Sequence, residues 1–92
     1  MKIKVGDLVT PVEFVGSFGV ELFSSASAID VYSKLNGMLE QKDVALVIMI
    51  DRKNARAFVT GPRGSGWALI SFVTQVNSLY SFNGFIVFNT RI

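Results

Sequence analysis

The 92-residue chain contains no cysteine and no histidine. Without cysteine there is no disulfide framework and no thiolate chemistry. Without histidine the commonest neutral-pH general base and the commonest metal ligand are both missing. Charge is sparse too, at 17% of residues. The seven acids, Asp7, Glu13, Glu21, Asp30, Glu40, Asp43 and Asp51, are scattered and lack the D-x-D spacing of a calcium loop. The expectation is therefore no catalytic residues, no metal site and no cofactor. Long apolar runs are also lacking: the longest, "VALVIMI" at 44–50, is too short to cross a bilayer as a helix. The opening "MKIKVGDLV" has two lysines but no apolar h-region, so neither a secretion signal nor membrane insertion is expected.

What is present is apolar. Half of the residues are hydrophobic. A chain of this length forms one small domain, here taken as 1–92, and buries only roughly 60–65% of its unfolded surface. Some apolar side chains should then face a protein partner or further copies of the same chain. The net charge of +2 is slight, and nucleic-acid binding, if any, should be weak.

The pattern along the chain is mostly extended. "IKVGDLVTPVEFVG" is rich in β-branched and aromatic residues, with a bulge or turn at Gly6-Asp7 and an edge or kink at Pro11. "SFGVELF" puts Phe18, Val20 and Leu22 on one face and Glu21 on the other. The period then changes. Ala28, Ile29, Tyr32, Leu35 and Leu39 recur at helical spacing, with a serine cap at Ser25 or Ser27 and an Asp30–Lys34 pair. This predicts a helix over about 27–36. "VALVIMI" reads as a central strand, "DRKN" at 51–54 as a turn, and "ARAFVT" as a strand alternating Ala55, Ala57 and Val59 against Arg56, Phe58 and Thr60. "WALISFVTQV" reads as one further strand, with Ala68, Ile70, Phe72 and Val76 opposite Trp67, Leu69, Ser71, Val73 and Gln75. Finally, Asn83-Gly84 joins two aromatic runs and predicts a type I′ hairpin pairing 78–82 with 85–89.

The loop "GPRGSG", Gly61 to Gly66, resembles a phosphate cradle in composition. A Walker loop needs lysine and Ser/Thr after its last glycine, and a dinucleotide fingerprint needs a following helix. Trp67 and a β pattern follow instead, so the loop reads as a hairpin turn, with Arg63 the residue to watch for a phosphate or carboxylate contact. Arg52, Lys53, Arg56 and Arg63 divide between the two ends of one hairpin rather than forming one patch. Trp67 is a barrel-end packing residue or an interface anchor. Tyr80, Phe82, Phe85 and Phe88 of the C-terminal hairpin are apolar on both of its faces and are the candidate interface.

Two motifs, "KVGDLV" and "ARAFVTGPRGSGWALISFVTQV", resemble the small SH3-like barrels found in tailed-phage genomes. The resemblance falls on Val5 to Val9 and Ala45 to Val76, about 40 of the 92 residues. KOW-type translation and transcription modules share the "GD-V" opening. The chain departs from the usual barrel by the inserted helix and the added hairpin. The resemblance implies a small, partly open, SH3-like antiparallel barrel, and with the helix and the C-terminal β-hairpin read from the residues the expected fold is α+β, mainly β, a barrel with one inserted helix and a C-terminal β-hairpin. The resemblance also implies a non-enzymatic structural or protein-interaction role, in a phage virion or in the host cytoplasm. A nucleic-acid-binding barrel of the KOW kind is the alternative.

Overall fold

The computed structural model describes residues 2–13, 19–27, 30 and 32–76. The predicted hairpin at 78–89, and with it Tyr80, Phe82, Phe85 and Phe88, lies outside the described residues. Among the described residues seven strands form one antiparallel sheet: β1 (Leu8–Pro11), β2 (Val20–Phe23), β3 (Leu35–Leu39), β4 (Ala45–Asp51), β5 (Arg56–Gly61), β6 (Gly64–Leu69) and β7 (Val73–Gln75). Their order is β3-β2-β6-β5-β4-β1-β7, and the sheet curls into a half-barrel. The meander β4-β5-β6 is its centre. The pair β1–β7 extends it on one side, and the hairpin β2–β3 on the other.

Alternation of side chains fixes which face is inside. Val9, Val20, Leu22, Leu39, Val47 and Val59 are fully buried, and Ala45, Ala57, Ala68 and Val73 join them, so every strand contributes to one inner face. The expected alternation of β5 is the observed one at Ala57 and Val59. Curvature comes from irregularities. The register shifts at Leu22/Phe23 and at Val47/Met49, each adding a residue that sharpens the twist. Pro11 sits where β1 has already left β4 and pairs only with β7, so its missing N–H costs no ladder bond to β4.

Two expectations fail. The helix expected over 27–36 is not supported: among the described residues of that stretch none is helical, Tyr32 lies in a turn, and Leu35 and Asn36 already belong to β3. Asp30, expected to pair with Lys34, and the serines around it accept from local backbone instead, and the cap candidate Ser25 accepts from the Ser27 N–H at 3.1 Å. Lys34 N–H donates to Ser24 Oγ at 2.8 Å, Ser25 N–H to Ser33 Oγ at 3.2 Å, and Tyr32 N–H to an Asp30 carboxylate oxygen at 2.9 Å. Short polar side chains of this kind compete with the helix for backbone groups. The described members of the apolar stripe do not share one fate: Tyr32 is 83% and Leu35 55% exposed, while Leu39 is buried as a strand residue of β3. The second failure is the single strand at 67–76. A 3-10 turn at Ile70–Phe72 breaks it into β6 and β7. The turn resets the alternation, so Val73, expected opposite Ala68, is buried with it.

Candidate functional site

The glycines of the 61–66 loop are explained by chain crossing. Pro62 and Arg63 form a two-residue turn between β5 and β6, with Gly64 at a φ of 120° that favours glycine. Beyond the turn, the β2–β3 hairpin passes close over β6. A Cβ on Gly66 would lie 2.9 Å from the Leu22 backbone carbon, and one on Gly37 would lie 2.8 Å from the Arg63 carbonyl oxygen. The glycine spacing therefore serves close backbone approach. β6, not a helix, follows the loop.

Arg63 is turned to acidic side chains. Its Nε donates to Asp43 Oδ2 at 3.0 Å and its Nη2 lies 3.4 Å from Glu40 Oε1. Asp43, only 11% exposed in its side chain, also accepts from the Glu40 N–H at 2.9 Å. Arg63 thus ties the β5–β6 turn to the β3–β4 turn, and its charge is matched locally. At the other end of β5, Arg52 Nη2 donates to the Ile3 carbonyl at 2.8 Å. In that turn, Asp51 caps Asn54, accepting from its backbone N–H at 3.1 Å and from Nδ2 at 2.8 Å. These donors hold the Asp51 carboxyl below its ordinary value.

Trp67 lies on the outer face of the sheet, and its position is informative through register. It pairs with Phe58 on β5 and with Phe23 on β2, while Phe58 pairs with Met49 and Phe23 with Leu35. One apolar row, Met49–Phe58–Trp67–Phe23–Leu35, therefore crosses five strands. The Phe58 and Trp67 rings meet edge to face, 5.4 Å between centroids. Leu35 is 55% exposed and Met49 48%, and Ile48 and Leu46 beside Met49 are exposed as well. Composition pointed to uncovered apolar surface, and Trp67 was picked out. Leu35, Met49 and Phe23 were missed because only strand register aligns them.

A second missed cluster surrounds Arg56. Two cavities meet at this residue. One, about 360 Å³, is lined by Glu21, Phe23, Met38, Arg56, Leu69 and Phe72. The other, about 180 Å³, is lined by Phe23, Ser25, Ser27, Ser33 and Arg56. Arg56 is half-buried, and its Nη1 donates to the carbonyls of Ala26 at 3.3 Å and Asn54 at 3.2 Å. Among the described residues no group of three acidic side chains could hold a metal ion, and no helix is long and apolar enough to cross a membrane. Comparison with protein families, with curated proteins and with solved structures finds no match to this chain.

Proposed function

We propose that the chain is a non-enzymatic protein-interaction or structural module that binds through the outer face of its sheet. The observation that carries this reading is the five-strand apolar row, with Leu35 and Met49 each about half exposed. A sheet face of aromatic and aliphatic side chains gains free energy when covered, at roughly 25 cal/mol per Å² of apolar area, and an edge-to-face Phe58–Trp67 pair is a rigid anchor for a partner. The curled antiparallel sheet with its Gly6-Asp7 turn is compatible with the SH3-like resemblance of the sequence. On that resemblance the module belongs to a tailed phage, as a virion component or a factor that engages a host protein in the cytoplasm. A nucleic-acid-binding barrel is the lesser reading, because Arg63 is matched by two acids.

The test uses two exposed positions. Leu35→Lys with Met49→Lys should leave the fold intact, since neither side chain is in the core. The variant should lose self-association in light scattering, or lose the host protein that wild type retains in a pull-down. A monomeric wild type that retains no protein, or a variant that associates as wild type does, rejects the reading.

A further inference from the structure

The cluster at Arg56 differs in chemistry from the apolar row. We propose that it is a binding site for a phosphate monoester carried on an apolar body. Arg56 brings a half-buried positive charge to the point where the two cavities meet. Its hydrogen-bond acceptors are neutral carbonyls, and no carboxylate among the described residues pairs with it. A charge withdrawn from water without a counter-ion is costly, and an incoming anion relieves that cost.

Hydroxyl groups on the same wall are set to donate. Ser25 Oγ accepts from the Ser27 N–H at 3.1 Å, and Ser33 Oγ accepts from the Ser25 N–H at 3.2 Å. With their oxygens engaged as acceptors, Ser25 and Ser33 have O–H protons left to give into the smaller cavity. A guanidinium and two hydroxyls around a space of about 180 Å³ suit an oxyanion with several acceptor oxygens. The larger cavity continues from Arg56 past Phe23, Met38, Leu69 and Phe72, and these apolar walls fit the body of the ligand. Glu21 lines the larger cavity, so the negative group is directed to the serine side.

The site is separate from the 61–66 loop. Arg63, the arginine of that loop, faces Glu40 and Asp43. Nor does the site depend on the apolar row having a partner, although the two share Phe23.

The experiment is an NMR titration of the whole chain with inorganic phosphate, phenyl phosphate, benzoate and phenol. Phenyl phosphate should give saturable shifts at Phe23, Ser25, Ser27, Ser33 and the Arg56 side chain. Inorganic phosphate should shift the same residues about tenfold more weakly, since it leaves the apolar walls unfilled. Benzoate should be weaker than phenyl phosphate, and phenol should not saturate. Arg56→Gln should abolish the response. Because that change also removes two bonds to carbonyls, Glu21→Gln provides the independent arm: it leaves every Arg56 bond in place and should tighten phenyl phosphate several-fold. Shifts centred on Arg63 or Arg52, no saturable shift, or an affinity unchanged by Glu21→Gln would each overturn the site. Benzoate binding more tightly than phenyl phosphate would overturn the phosphate class.

Discussion

At the scale of single residues, short polar side chains decide more of this structure than the sequence suggests. Asp51 holds the β4–β5 turn by accepting two bonds from Asn54, in a turn that ends with Ala55 at a φ of 56°. The carboxyl is held below its ordinary value, mainly by the Asn54 side-chain amide and then by the Asn54 backbone N–H. A carboxyl with a lowered folded-state pKa stabilises the fold above its unfolded value and loses that contribution as pH falls through the folded one. Asp51→Ala should therefore destabilise the protein at neutral pH. The difference from wild type should shrink as the pH drops below 3.8, the ordinary value of the group. Urea unfolding of both proteins across that range measures it, and a difference that persists well below 3.8 would mean that the charge plays no part.

At the scale of elements, the sequence makes visible what depends on local pattern and hides what depends on crossing. β4, β5 and their turn were legible because alternation and turn residues are local signals: Ala57 and Val59 point inward as their spacing requires. The helix over 27–36 was misread because helical spacing of Tyr32 and Leu35 says nothing about the serines around them, which take the backbone bonds. The 3-10 corner at 70–72 leaves no mark in an apolar run. Of the candidate residues, Arg63 and Trp67 could be singled out, but Arg63's acidic partners and Trp67's row depend on strands distant in sequence. The glycines of the loop show the same limit: their number is plain, while their reason is the backbone of β2–β3 lying on β6. Gly66→Ala tests that reason. The new Cβ would meet backbone atoms of Leu22 and Phe23 at 2.9 Å, which cannot move like a side-chain tip. We expect a loss of about 1–3 kcal/mol in urea unfolding. Gly6→Ala is the comparison. At a φ of 94° with nothing within 4 Å, it carries backbone strain alone, about 1 kcal/mol. A Gly66→Ala protein as stable as wild type would mean that the hairpin does not press on β6.

At the scale of the whole molecule, charge separates the interaction module from the nucleic-acid barrel. The net charge is +2, and the arginines do not add up to a footprint. Arg63 is compensated by Glu40 and Asp43 at one end of β5, while Arg52 is tied to the Ile3 carbonyl at the other. Arg56 lies between them, half-buried on the outer face. With so slight a net charge, the logarithm of a nucleic-acid binding constant should fall against the logarithm of salt with a shallow slope, roughly −2. The aromatic pair Phe58–Trp67 could stack a base, but stacking tolerates any sequence and leaves the salt slope unchanged. Fluorescence anisotropy with single-stranded and duplex oligonucleotides across a salt series should therefore give weak, shallow and unselective binding. A slope steeper than about −4, or tight binding to one sequence at physiological salt, would mean that the exposed Lys2, Lys4, Lys34, Lys42 and Lys53 act together as a basic surface, and would favour the nucleic-acid reading over the apolar interface.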